Sequence, residues 1–60
     1  MDMEAQVRDA ILSELERQAE EAAGSLSIVR DEAQGAVQIQ GRVDLEALAM
    51  AIVGSVAGGP

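Results

Sequence analysis

Residues 43–57 read Val-Asp-Leu-Glu-Ala-Leu-Ala-Met-Ala-Ile-Val-Gly-Ser-Val-Ala, and this stretch decides how the chain folds. Asp44 is a good N-cap, and Glu46 places an anion in the first turn, where the helix dipole favours it. The residues that follow are mainly Ala, Leu and Met, which have high helix propensity. The sequence therefore predicts a helix over residues 45–57, ended by the Gly-Gly-Pro segment at 58–60.

This helix is apolar on nearly every side. On a helical projection one stripe is expected to face the core, and it consists of Leu45, Leu48, Ala49, Ile52 and Val56. A helix with apolar residues nearly all round is normally buried on more than one side. We therefore expect a partner to cover a second face, formed by Ala47, Met50, Ala51, Val53, Gly54 and Ala57.

The rest of the chain predicts a helix followed by a hairpin. Residues 2–23 have the helical period, while 26–30 and 37–43 alternate with the two-residue period of strands around a turn-like segment at 31–35. The predicted fold class is thus α+β, in the order helix, β-hairpin, helix, with residues 1–60 forming one domain. The apolar stripe of the first helix consists of Val7, Ile11, Leu12, Leu15, Ala19, Ala22 and Ala23, and its outward side carries Glu14, Glu16, Arg17, Glu20 and Glu21.

The hairpin should be apolar on one face only. That face is expected to carry Leu26, Ile28, Val37 and Ile39, with Ser27, Gln38, Gln40 and Arg42 opposite. Because an isolated two-stranded hairpin is marginal in water, both helices should cover its apolar face, and its edges stay available for another copy. Gly41 indicates either a bulge or a close backbone approach.

Three further polar features are informative. Gln38 and Gln40 form either a solvated strand face or a hydrogen-bonding strip for a partner. Arg8 interrupts the apolar stripe, so it either extends into water or pairs with an acid of a second subunit. The sequence also predicts helical ion pairs of Glu4 with Arg8 and of Glu14 with Arg17.

Length and composition point to oligomerisation. A 60-residue domain is marginally stable by itself, and this chain has no Cys for a disulfide and no His or Cys for a structural zinc. It also lacks aromatic residues, so the core must consist of small aliphatic side chains. We therefore expect a homo-oligomer, a dimer or larger.

The charge excludes several partners. A net charge of −7, with four arginines scattered along the chain, argues against nucleic-acid binding and against an anionic membrane surface. No signal peptide is expected, since the first residues are acidic, and the apolar segment at 45–57 is too short to span a membrane. The sequence therefore predicts a soluble protein.

Most catalytic and metal-binding chemistry is absent. His, Cys, Lys, Tyr, Trp, Thr and Asn are all missing, which leaves pairs of carboxylates as the remaining option. With eleven acidic residues in the chain, such pairs arise by chance and are best explained as a solvated face. We predict no enzyme activity, no catalytic residues, no metal and no cofactor.

Residues 37–52 read Val-Gln-Ile-Gln-Gly-Arg-Val-Asp-Leu-Glu-Ala-Leu-Ala-Met-Ala-Ile. This segment resembles the ends of small proteins encoded by bacteriophages of GC-rich actinobacterial hosts, and the element order resembles that of small head-completion proteins of tailed phages. The chain departs from the latter in being acidic and in lacking a basic tail. The resemblance implies a virion accessory role, such as a capsid decoration or minor capsid subunit, in the virion or in the host cytoplasm, and carries over no functional residues.

Two function hypotheses follow. The first is a structural protein that self-associates and docks on a larger protein assembly such as a capsid. The alternative is an acidic inhibitor or regulator that occupies a basic site on another protein, with the Glu-rich face of the first helix as its footprint. A carboxylate-dependent enzyme is a remote third.

Overall fold

The computed structural model describes residues 2–57, so the helix stop predicted at 58–60 lies outside the described residues. Helix α1 spans Met3–Glu21, strand β1 Ser27–Asp31, strand β2 Ala36–Gln40 and helix α2 Leu45–Ala57. The predicted α+β class and the order helix, hairpin, helix are confirmed.

Helix α1 is capped by Asp2, whose side chain accepts a hydrogen bond from the backbone N–H of Glu4 at 3.1 Å. It ends two residues earlier than predicted. Ala22 is the C-cap, and Ala23 then adopts a left-handed conformation with φ of +54° before Gly24 at +98°. Left-handed backbone is expected at this position after a helix, but glycine is the residue that usually provides it.

The hairpin is antiparallel, with Ile28 opposite Ile39 and Arg30 opposite Val37. Directly opposite residues share a face, so the predicted apolar face of the strands is confirmed. Strand β2 ends at Gln40, three residues before the predicted end. The next residue, Gly41, has φ of +127°, and a Cβ there would lie 2.5 Å from the carbonyl oxygen of Ser25. This is the close backbone approach that was one of the two predicted explanations of Gly41, and it accounts for the early end of the strand.

Helix α1 lies at the centre of the fold, with the hairpin packed on it at one side and α2 at another. Among the described residues, no part of α2 comes close to either strand. The expectation that both helices cover the apolar face of the hairpin was therefore wrong, since only α1 does so. As a result Ile39 on that face stays 42% exposed.

Two glutamines on α1 fix the position of α2 along it. The side chain of Gln18 bonds to the backbone of Asp44 at the start of α2, and that of Gln6 donates to the carbonyl oxygen of Ser55 near its end at 2.7 Å. The hydroxyl of Ser55 in turn lies 3.4 Å from the carbonyl oxygen of Gln6, to which it donates. The two helices therefore run antiparallel, with Ser55 facing α1.

This arrangement sets the rotation of α2. The half-buried side of the helix consists of Ala47, Leu48, Ala51, Ile52 and Ser55. The predicted core positions Leu48 and Ile52 do face α1, but the assignment of Leu45, Ala49 and Val56 to the core was wrong, because all three are exposed. Small residues at 47, 51 and 55 let the two helices approach closely, and the hydrogen bonds of Ser55 need that side to face inward.

The fully buried part of the molecule is very small. Within residues 2–57 the only buried apolar side chains are Leu15 at 2% exposure and Leu26 at 4%. Two positions of the predicted α1 pattern are also wrong: Glu14, expected to point outward, is only 9% exposed, and Ala23, expected in the apolar stripe, is exposed. Such a core provides little stabilisation from apolar burial.

Candidate interaction surface

Glu14 is a buried charge on α1, and its hydrogen-bond partners lie on the same helix. Both carboxylate oxygens accept hydrogen bonds from Arg17, at 2.9 Å from Nε and 2.6 Å from Nη2, and Oε2 also accepts one from Gln18 at 2.9 Å. A bidentate pair of this kind is among the stronger polar interactions in proteins. The ion pair of Glu14 with Arg17 predicted from the sequence is thereby confirmed.

These contacts shift the pKa values of both partners. The hydrogen bonds from Arg17, and next those from Gln18, lower the pKa of Glu14 from 4.5 to about 2, although burial opposes the shift. The same hydrogen bond, together with the charges of Glu14 and Glu21, raises the pKa of Arg17. The pair is charged at neutral pH, and Gln18 connects it to Asp44, which in turn caps α2 by accepting from the N–H of Ala47 at 3.1 Å.

The side of α2 that faces away from α1 is exposed and almost entirely apolar. Leu45 is 73% exposed, Met50 71% and Val53 63%, and α2 has no buried residue over its whole length. We call this side the outer face of α2; it consists of Leu45, Glu46, Ala49, Met50, Val53, Gly54, Val56 and Ala57. Glu46 is its one charged residue, and it lies in the first turn of the helix.

A shallow apolar concavity of about 370 Å³ lies on this face, lined by Glu46, Ala49, Met50, Val53 and Gly54. The first four of these have the spacing i, i+3, i+4 and i+7, which is the arrangement that receives a single side chain from a facing helix. Gly54 widens the concavity because it has no side chain, and a Cβ built there would meet nothing within 4 Å. Nothing in the described chain therefore requires glycine at this position of the helix.

The residues predicted to form an interface fall into four places. Met50, Val53, Gly54 and Ala57 lie together on the outer face of α2, whereas Ala47 and Ala51 are half-buried on the side of the helix that faces α1. Gln38 and Gln40 are exposed on the outer side of the hairpin, opposite Val29 and Ser27. Arg8 is exposed on α1 and pairs with Glu4 at 3.0 Å, as predicted for the two residues within the chain. The interface role of these residues stays a prediction.

The sequence reasoning missed Leu45, Ala49 and Val56 as members of the exposed surface. They were assigned to the core because apolar residues at helical spacing suggested one stripe, and a helix apolar all round offers several such stripes. No residue of α2 signalled the correct rotation, because Ser55, the one polar residue after Glu46, is half-buried against α1 and bonded to Gln6.

A second depression of about 330 Å³ lies between α1 and the hairpin, with Ile11, Leu12 and Val37 among its lining residues and both Arg8 and Arg30 beside it. Its two cations are already paired, Arg8 with Glu4 at 3.0 Å and Arg30 with Glu16 at 3.3 Å. Within residues 2–57 no group of three or more His, Cys, Asp or Glu side chains is placed to hold a metal ion.

No protein-family model matches the chain, and neither a curated protein nor a solved structure shows significant similarity to it. Among the described helices, neither α1 nor α2 combines the length and the apolar character needed to cross a membrane. The observations that bear on function are therefore those of the chain itself, above all the exposed outer face of α2.

The total surface is large for a chain of this size. The chain exposes 4548 Å². A folded monomer of its 6.2 kDa mass is expected to expose about 3,700 Å², so the excess is about 850 Å². The excess is not confined to one face, since Met3, Val29 and Ile39 are exposed as well as the outer face of α2.

Proposed function

We propose that this protein is a non-enzymatic assembly protein, which self-associates through the outer face of α2 and docks as an oligomer on a larger protein assembly. The observation that supports this most is the helix α2, whose thirteen residues include none that is buried. Contiguous apolar surface of this kind mostly marks an interaction site in a folded protein.

The small core supports the same proposal. With two buried apolar side chains, the chain gains little from its own packing and would gain stability from a partner that covers Leu45, Met50 and Val53. A virion, in which such a protein would be a capsid decoration or minor capsid subunit, is the assembly we propose. Its support is the resemblance of residues 37–52 to proteins of actinobacterial phages and the helix, hairpin, helix order.

Sedimentation of the purified chain across micromolar concentrations tests the self-association. We expect a concentration-dependent oligomer, and a stable monomer throughout that range would contradict the proposal. Val53→Glu should shift the equilibrium to monomer, because it places a charge in the centre of the outer face. Val29→Glu is the matched control, since Val29 is also exposed, at 55%, but lies on the hairpin. Loss of the oligomer in the control alone would assign the interface to the hairpin instead.

The virion part has its own test. Particles released by cells that encode the protein should contain it in a fixed stoichiometry with the major capsid protein, measured by quantitative mass spectrometry after density-gradient purification. Its presence in the cell extract and absence from such particles would refute a virion role while leaving the self-association intact.

The alternative proposal, an acidic regulator of a protein with a basic site, has less support. Several acids of α1 are already paired within the chain: Arg17 binds both Glu14 and Glu21, and Arg30 lies 3.3 Å from Glu16. The two proposals predict opposite effects of salt. Self-association of chains with a net charge of −7 should strengthen as salt screens their repulsion, whereas binding to a basic partner should weaken.

A further inference from the structure

We infer that the occupant of the outer face is α2 of a second copy, packed antiparallel about a two-fold axis, with Val53 of each copy entering the apolar concavity of the other. This inference rests on the proposed self-association and specifies its geometry. It names a contact between two identical surfaces, which is the arrangement that two-fold symmetry requires.

The shape of the outer face supports a second copy of the chain. The concavity lined by Glu46, Ala49, Met50, Val53 and Gly54 has the spacing that receives one side chain of a facing helix. Val53 is 63% exposed and lies about one turn along the helix from the middle of that concavity. Because the projecting side chain and the receiving concavity are one turn apart, a two-fold axis midway between them lets two antiparallel copies fill each other's concavities at once.

The charges favour an antiparallel pair. Glu46 is the one charged residue of the outer face and lies near the N-terminal end of α2. In a parallel pair the two Glu46 carboxylates would face each other, which is unfavourable in an apolar contact. In an antiparallel pair centred between Met50 and Val53, Glu46 lies beside Ala57 of the second copy and remains at the edge, in contact with water.

Gly54 gives independent support. A glycine inside a helix is unfavourable relative to alanine, and the space around Gly54 is open within the chain. In the antiparallel pair it faces Ala49 of the second copy, so that two small residues lie within one turn of the two-fold axis. The pair thus explains a residue that the single chain does not.

Cross-linking tests the direction of the pair, since the chain contains no natural cysteine to interfere. Glu46→Cys and Ala57→Cys chains are mixed and treated with a bifunctional maleimide. In the antiparallel pair, residue 46 lies level with residue 57 of the other copy. Residue 46 of that copy is about 16 Å further along the helix axis. A reagent that spans less than about 10 Å therefore links 46 to 57 but not 46 to 46. We expect a 46-to-57 cross-link in the mixture, and no cross-linking of Glu46→Cys alone.

The outcomes separate this inference from the proposed function. Efficient cross-linking of Glu46→Cys alone would overturn the antiparallel geometry in favour of a parallel pair. An oligomer by sedimentation without any cross-link between α2 helices would overturn the inference and leave self-association standing, with its interface elsewhere. A monomer at micromolar concentration would refute the proposed function itself.

Gly54→Ala provides a second test that does not depend on cross-linking. The added methyl group should raise the melting temperature of the dilute monomer, because alanine is the better helix former. The same methyl group fills the concavity, so dimerisation should weaken about tenfold or more. A gain in monomer stability with unchanged or stronger dimerisation would place Gly54 outside the interface and overturn the inference.

Discussion

The side chain of Gln18 makes two hydrogen bonds with the backbone of Asp44, accepting from its N–H at 2.8 Å and donating to its carbonyl oxygen at 3.1 Å. The same amide nitrogen lies 2.9 Å from Oε2 of Glu14, to which it also donates. One residue of α1 thus joins the ion pair of Glu14 with Arg17 to the residue that caps α2. The N-terminal end of α2, and with it the orientation of the outer face, depends on this connection.

Gln18→Ala should lower the free energy of unfolding by about 2–3 kcal/mol, because it removes three hydrogen bonds that each contribute of the order of 1 kcal/mol. The measurement is urea unfolding at one protein concentration, followed by circular dichroism. Gln34→Ala is the matched control, since Gln34 is exposed in the hairpin turn and bonds through its backbone N–H to Asp31. Equal losses in both variants would show that the connection to Asp44 does not stabilise the fold.

Glu14 makes stability depend on pH. Its pKa is lowered from 4.5 to about 2 by hydrogen bonds from Arg17 and Gln18, so the folded state favours the ionised form. The stabilisation is therefore complete above the pKa of the unfolded state and is lost as the pH falls from about 4.5 toward 2. Glu14→Gln should flatten the decline in the free energy of unfolding across that window.

The matched control for Glu14 is Glu20→Gln, which removes the same charge from an exposed position of α1. Thermal unfolding of the three proteins between pH 2 and 6 gives the comparison. If Glu14→Gln retains the full acid-induced decline of the natural chain, the ion pair with Arg17 is not its cause.

The backbone just after α1 is strained at Ala23, and a single substitution should relieve this strain. Ala23 has φ of +54°, a conformation that is unfavourable for a residue with a Cβ, whereas Ala22 has a helical φ of −78°. Ala23→Gly should therefore raise the free energy of unfolding by about 1 kcal/mol. Ala22→Gly, one residue earlier, should lower it by about 0.5–1 kcal/mol. Destabilisation of similar size in both variants would show that position 23 does not require left-handed backbone.

Local patterns predicted the elements well, because each is determined by near neighbours. The alternation in 26–30 placed the apolar face of the hairpin correctly, and of the two explanations predicted for Gly41 the close backbone approach is the one observed. The rotation of α2 was not predictable in this way. Its apolar residues surround the helix, so the side facing α1 is chosen by the contacts of Gln6 with Ser55 and Gln18 with Asp44, which are 49 and 26 residues apart in sequence.

The residues of the outer face were predicted only in part, because the rotation of α2 was not predictable from the sequence. Met50 and Val53 were expected off the core stripe and do lie on the outer face, but Ala47 and Ala51 face α1. Small residues fit equally well between α1 and α2 or at a partner, so composition does not distinguish the two. The burial of Glu14 also escaped the sequence pattern, which predicted its pair with Arg17 but placed it on the outward side of α1.

Gly41 should be the least replaceable glycine of the described chain. With φ of +127° and a Cβ position 2.5 Å from the carbonyl oxygen of Ser25 and 2.9 Å from the Cα of Leu26, alanine there would force the backbone of a core segment apart. Gly41→Ala should cost about 2–4 kcal/mol in the free energy of unfolding, enough to unfold a marginal domain. Gly35 also has a positive φ, of +64°, but open space around it, so Gly35→Ala should cost only about 1 kcal/mol. Equal melting temperatures of the two variants, measured at the same concentration, would refute the steric explanation and leave backbone conformation as the common cause.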